Sequence, residues 1–322
     1  MHLRLTFLLS LIGVASCSGP FTVIQTTPTG VIASGPLPSS NTETRFISHQ
    51  TYKGWPNSWL LSNGRVWAAV VPSTGRVMQL GRVNEDGVFW ENPKLIGKRM
   101  PSQPWDTAGS FGGDKTWPSP QSAWNWPPPD VFDQEAVTVR EVSGALILES
   151  KVSPRFGIRT ERRVEMDLGQ PVLRITTTYH KVQGEPVEVG VWVITQLKNP
   201  VDVQLPVPPD SPFADGYVAL AGTPGSFAHR TGDQIRFTRD PQAGHKIGND
   251  AGSVTWQDAH QTLTIESPRV PGASYPDQGC SVAVYTNGGE ADYVELETMG
   301  PMKRLSVGES LTSVNVYRLT AK

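Results

Sequence analysis

Chemistry concentrates late in this sequence, in Asp292-Tyr-Val-Glu-Leu-Glu-Thr-Met299. The run reads as a strand, and strand side chains alternate between faces. Val294, Leu296 and Thr298 then share one side, while Tyr293, Glu295 and Glu297 share the other. Two carboxylates spaced by two on a strand lie about 6.5 Å apart along the chain. Their repulsion, with partial burial, would raise one pKa, as a general acid or base requires. Glu297 is the candidate base. A solvated acidic face is the alternative reading.

Tryptophan is the second signal. Eight of the ten tryptophans lie between Trp55 and Trp126. An indole face stacks on the C–H face of a pyranose and leaves its N–H free to bond. Planar polar side chains can then pair with sugar hydroxyls. Met100 to Asp130 holds seven prolines and four tryptophans, with Asp114, Lys115 and Gln121 beside Trp117, Trp124 and Trp126. A segment so long and so rich in aromatics reads as an ordered functional loop over a sheet. Trp117, Trp124 and Trp192 are the candidate stacking platforms. Asp114, Lys115, Gln196 and Glu295 are the candidate hydroxyl contacts. An ordinary core role is the alternative for any single Trp.

Several stretches together resemble one family. Leu296-Glu297-Thr298, then Leu305-Ser-Val-Gly308-Glu309, then Val316-Tyr317-Arg318-Leu319, are similar to the C-terminal end of galactose mutarotases (aldose 1-epimerases), with Val307 where that pattern has Pro. Val70 to Leu80 and Phe89-Trp-Glu-Asn-Pro93 resemble the opening hairpins of mutarotase-like domains. Phe111-Gly-Gly-Asp-Lys-Thr-Trp-Pro-Ser-Pro120 resembles the signature of a bacterial branch of that superfamily that carries a domain of unknown function. The resemblance runs from about residue 50 to the end. It implies a large antiparallel β-sandwich (a supersandwich) with a sugar cleft on one face and with Glu297 as the base. It also implies a His acid on a middle strand. The matching stretch, Val189 to Leu197, contains no His, and Trp192 or Val193 stands in that place. A base without its acid forfeits about 10²–10⁴-fold, so the resemblance carries fold and cleft further than reaction.

Elements able to position these residues recur along the chain. Arg65 to Val71 and Arg76 to Leu80 flank the turn Pro72 to Gly75. Gly144 to Val152, Gly157 to Met166, Val172 to His180 and Val187 to Leu197 follow. Seven shorter runs continue from Tyr217 to Leu319. β-Branched and aromatic residues fill these runs, and Gly, Pro, Asn or Asp separate them. No helical stripe of ten or more residues stands out. The fold expected is therefore all-β, a large sandwich. Gly244 to Asp250 reads as a polar loop, with Lys246 solvated. His180 reads as a surface residue, and His229, His245 and His260 as residues among turns.

Composition bounds the rest. Met1 to Ser16 reads as an export signal, with a short apolar stretch from Leu5 to Val14. Val14-Ala15-Ser16-Cys17 resembles a bacterial lipobox, in which Cys17 is lipidated; cleavage after Ser16 without a lipid is the alternative. Residues 17–41 read as a spacer and 42–322 as the sandwich domain. The expected location is the cell envelope, on the outer membrane, held through the lipid anchor alone. With Cys17 lipidated, Cys280 has no disulfide partner. Removing Arg4 with the signal leaves 27 basic against 30 acidic residues, which excludes a nucleic-acid-binding face. No nucleophile elbow, phosphate loop or His/Cys metal cluster is present, so neither cofactor nor metal is expected. The expected partner is a mono- or oligosaccharide. An active aldose 1-epimerase and a structural envelope lipoprotein are the rival functions.

Overall fold

The computed structural model describes residues 46–99 and 109–322. The export signal, Cys17 and the spacer lie outside the described residues, as do residues 100–108. The strands in chain order are β1 (Phe46–Tyr52), β2 (Trp55–Ser62), β3 (Val66–Val71), β4 (Arg76–Arg82), β5 (Asp114–Ser119), β6 (Thr138–Val142) and β7 (Ala145–Val152). There follow β8 (Ile158–Met166), β9 (Val172–Lys181), β10 (Val187–Lys198), β11 (Asp202–Pro206), β12 (Val218–Ala221), β13 (Ala228–Thr231) and β14 (Gln234–Phe237). The last are β15 (His245–Asn249), β16 (Ser253–Gln257), β17 (Gln261–Glu266), β18 (Val282–Thr286), β19 (Tyr293–Met299), β20 (Lys303–Leu305) and β21 (Ser310–Ala321).

They form two antiparallel sheets. The first runs β1-β2-β3-β4-β5-β10-β19-β18-β15-β12, with β20 added beside β10. The second runs β13-β14-β11-β16-β17-β21-β9-β8-β7-β6. The alternation seen in the sequence has a direct cause. In β8 every second residue from Ile158 to Met166 is buried and those between are half-buried, as expected of a sheet with one face on the core. Leu80, Phe89, Val284 and Leu296 from the first sheet meet Leu146, Val164, Ile175 and Tyr317 from the second in one apolar layer. Removing such area from water at about 25 cal/mol per Å² is the main stabilising term.

Central strands of the first sheet break the simple alternation because both of their faces are covered. In β10 the nine residues from Val189 to Leu197 are all buried. The expected loop from Met100 to Asp130 is corrected in part: Asp114–Ser119 is a strand, inserted between β4 and β10. Pro118 survives there because β4 meets β5 only at Val77 opposite Asp114. Beyond that point β5 has a ladder on one side, and a missing N–H facing the other side costs nothing. Gly112 (φ 95°) and Gly113 (φ 71°) lead into the strand in left-handed conformations. A Cβ on them would lie 2.1 Å from the Trp90 carbonyl oxygen and 2.6 Å from that of Val77. Only glycine fits both conditions. The polar stretch Gly244 to Asp250 is likewise a strand, β15, rather than a loop. Among the described residues the one α-helix is a single turn, Asp130–Asp133, and no helix is long and apolar enough to cross a membrane.

Candidate functional site

The register of β5, β10, β19, β18 and β15 decides which side chains meet. Trp192 lies opposite Met299, Ile194 opposite Glu297, and Gln196 opposite Glu295. On the other flank of β10, Trp192 lies opposite Trp117 and Ile194 opposite Lys115. Ala283 pairs with Glu297 and Tyr285 with Glu295, and Lys246 pairs with Tyr285. Directly opposed residues share a face. Lys115, Trp117, Trp192, Gln196, Lys246, Tyr285, Glu295 and Glu297 therefore gather on the face turned away from the second sheet. Thr298 faces inward, where its hydroxyl accepts from the Asn315 amide on β21 at 2.5 Å.

Glu297 is 1% exposed. Its Oε2 accepts the Trp192 indole N–H at 2.9 Å and the Lys246 ammonium at 2.8 Å. Lys246 also reaches Asp277 Oδ2 at 3.2 Å and lies 4.6 Å above the Trp192 ring. It is not the solvated lysine its loop-like sequence suggests. Burial works against its charge, but Glu297 and Asp277 outweigh that and hold its pKa above the ordinary lysine value. Burial pushes the Glu297 pKa up, and Lys246 opposes the shift. Glu295 is half-buried. The Gln196 amide donates to its Oε1 at 2.9 Å. Burial, helped by Glu297 and opposed by Lys115, raises its pKa to about 7.

A second layer of charge supports this face. Asp133, from the single helical turn, accepts the Trp117 indole N–H at 2.8 Å. It also pairs with Lys115 and Arg76, both at 3.1 Å. All three ionic groups are 2% exposed or less. The two cations hold the Asp133 pKa below its usual value against the effect of burial. Lys115 lies 4.0 Å over the Trp117 ring, a cation–π contact. Arg76 and Asp133 escaped the sequence reading. They are 57 residues apart, and no local pattern connects them.

The remaining expected site residues divide. Asp114 points the other way, into the layer between the sheets. There it pairs with Arg162 and accepts from Thr195 Oγ1 at 2.7 Å and Tyr317 OH at 2.5 Å. Consecutive strand residues cannot share a face, so Asp114 and Lys115 are separated by the pleat. Trp124 is buried, and its N–H donates to the Pro118 carbonyl at 2.7 Å. It packs edge-on against Trp117 with ring centroids 5.5 Å apart. Trp192 meets Trp117 edge-on at 5.3 Å. The indole N–H groups of Trp117, Trp124 and Trp192 thus all have protein acceptors. Trp256 lies in the core, its N–H on the Lys198 carbonyl at 2.8 Å. Trp126 is 55% exposed beside Trp117.

No histidine faces Glu297 among the described contacts. Trp192 occupies the outward position on β10, and Val193 points inward. His180 lies on the second sheet, where it bonds Ser310 Oγ at 3.0 Å. His245 is a buried strand residue paired with Asp240 at 2.9 Å, not a turn residue. Among the described residues no cluster of His, Cys, Asp and Glu could hold a metal ion.

With this geometry, comparison with solved structures becomes informative. A galactose mutarotase-like protein from Clostridium acetobutylicum superposes with a TM-score of 0.56 at 10% identity, covering 87% of this chain and 100% of that one. One from Lactobacillus casei gives 0.55 at 10% identity, covering 81% and 99%. The chain has the galactose mutarotase-like fold. A TPR-domain containing protein from Parabacteroides distasonis also matches, with a TM-score of 0.56 at 14% identity. That match covers 82% of this chain, which spans 47% of that protein's length. No family model matches the sequence, and no curated protein shows significant similarity to it. At such identities the galactose mutarotase-like fold is shared while function is not fixed by it.

Proposed function

We propose that the outward face of the first sheet binds a saccharide, and that Glu295, Glu297 and Lys246 contact its hydroxyls while Gln196 holds Glu295 in place. The observation that carries this reading is the meeting of Glu297, Lys246 and Trp192 on one face of a galactose mutarotase-like sheet. A carboxylate and an ammonium side by side can accept and donate to adjacent hydroxyls, in charge-assisted bonds of about 1.5–3 kcal/mol each. Trp192 supplies the aromatic surface beside them. Asp114 has no part in this reading, since the strand turns it inward.

A second reading, aldose 1-epimerase chemistry, is favoured by one observation: a glutamate with a pKa of about 7 on that face. Such a group can both take and return a proton at neutral pH. Saturation-transfer NMR on the full chain with D-galactose and D-glucose tests binding. Exchange of the anomeric signals of the same sugars tests catalysis. Binding without exchange supports the binding module. Silence across a broad sugar array would leave a structural envelope role.

The proposal extends to location. Val14-Ala15-Ser16-Cys17 supports export with a lipid on Cys17, tethering the domain to the cell envelope at the outer membrane. Metabolic labelling with a fatty acid should be lost in Cys17→Ser. Label retained in that variant would refute the anchor.

A further inference from the structure

Glu295 and Glu297 share a face but not a situation. Glu297 is 1% exposed, and its Oε2 holds both the Lys246 ammonium and the Trp192 N–H. Glu295 is half-buried and accepts on Oε1 from Gln196, and among the described residues no donor reaches its Oε2. The first carboxylate is ion-paired and nearly sealed from water, whereas the second is more open and has a neutral amide as its donor.

The Gln196 amide is itself oriented. Ser110 Oγ faces the Arg76 guanidinium at 2.8 Å, the Gly112 N–H at 3.3 Å and the Lys115 ammonium at 3.5 Å. All three are donors, so the one hydroxyl hydrogen is left for Gln196 Oε1, 2.8 Å away. With Oε1 occupied by that hydrogen, the Nε2 end of the amide must face Glu295. Arg76 in turn is fixed by the Asp133 carbonyl, at 2.7 Å, and by its carboxylate, at 3.1 Å. A directed chain of hydrogen bonds thus runs from the buried ion cluster to Glu295, and every member has its polarity set by the one before.

We propose that Glu295, rather than Glu297, is the carboxyl of this face that gives and takes protons, and that Ser110 and Gln196 are its positioning residues. This rests on the saccharide reading, which supplies the partner: the hydroxyl O–H bond of a bound sugar breaks as an O–H bond forms at Glu295 Oε2, and the reverse transfer restores the carboxylate. Glu297 remains an anion held by Lys246. The charged and titratable groups facing Glu295 are Lys115 from β5, Arg76 from β4, Lys246 from β15, Tyr285 from β18, and Tyr293 and Glu297 from its own strand. Burial and Glu297 favour the protonated form, while Lys115, Lys246 and the Gln196 bond favour the ionised form.

The test is a ¹³C-carboxyl NMR titration of the full chain labelled at glutamate, run without sugar. One glutamate should titrate with a midpoint of about 7, and its signal should vanish in Glu295→Gln. Ser110→Ala, which releases the amide, should move that midpoint upward. Glu297→Gln, which removes a nearby negative charge, should move it downward. The opposite signs separate positioning from general loosening. The proposal is overturned if every wild-type glutamate titrates below about 5, in the ordinary range, or if the near-neutral signal survives in Glu295→Gln. Because no sugar is present, the failures are distinguishable: absence of sugar binding would sink the saccharide reading and leave the titration standing, whereas a conventional midpoint would sink the assignment of Glu295, and the epimerase reading with it, and leave binding standing.

Discussion

The two faces of the β5–β10–β19 ribbon use the same chemistry to opposite ends. On the inward face Asp114 meets Arg162, Thr195 and Tyr317, drawn from both sheets. Three donors from fixed elements fill its two oxygens, and all four side chains are nearly inaccessible to water. On the outward face Glu297 and Glu295 each have their donors on one oxygen among the described residues, Lys246 and Trp192 on the first and Gln196 on the second. Full satisfaction marks a group that holds a structure together; residual capacity marks one that can serve a ligand.

Substitutions can break that contrast, and the inward face should suffer most. Arg162→Met leaves Asp114 buried without its cation, a loss of about 3–5 kcal/mol, readable by urea unfolding. Lys246→Met should cost less, about 1–3 kcal/mol, because Glu297 can respond by taking up a proton. It should also abolish saccharide binding in the NMR assay. Trp192→Phe removes one hydrogen bond to Glu297 while keeping an aromatic ring, at about 1.5 kcal/mol, the low end for a bond to a charged group, in the same unfolding experiment. If the outward variants prove as destabilising as Arg162→Met, that face is structural.

The gentlest probe is pH. Glu295 has a raised pKa, about 7 against 4.5 for the reference group. The folded state therefore holds a proton that the unfolded state has released between those values. Stability then falls as pH rises through that window and levels off above about 7. In Glu295→Gln the slope between pH 5 and 7 should flatten. An unchanged slope would assign the titration to another group.

Much of this architecture is legible in the sequence, and the illegible parts share a cause. Strands with one face on the core, such as Ile158–Met166, announce themselves by alternation. The same rule put Glu295 and Glu297 on one face from their spacing alone. β15 reads as a loop because its inward residues include His245 and Asn249. These are polar side chains made acceptable by Asp240 and by the Pro206 and Gly216 carbonyls. β5 reads as a loop because it carries Pro118, Asp114 and Lys115, whose partners lie far along the chain. Trp117 and Trp192 share a face with the acidic pair, and Trp124 packs on Trp117, yet the N–H groups of Trp117, Trp124 and Trp192 are occupied by Asp133, Pro118 and Glu297. Such occupancy depends on tertiary neighbours and leaves no trace in local composition.

The pleat that parts Asp114 from Lys115 also proofreads assembly. Were β5 to slip by one residue along β10, every side chain would change sides. A slip one way would put Lys115 in the place of Asp114, against the Arg162 guanidinium, and a slip the other way would put Asp114 in the place of Lys115, beside Asp133. Either slip would bring like charges together and force the Trp117 ring between the sheets. The wrong alignment is thus rejected twice over, and the strand that threads the middle of the sheet can join it in a single frame.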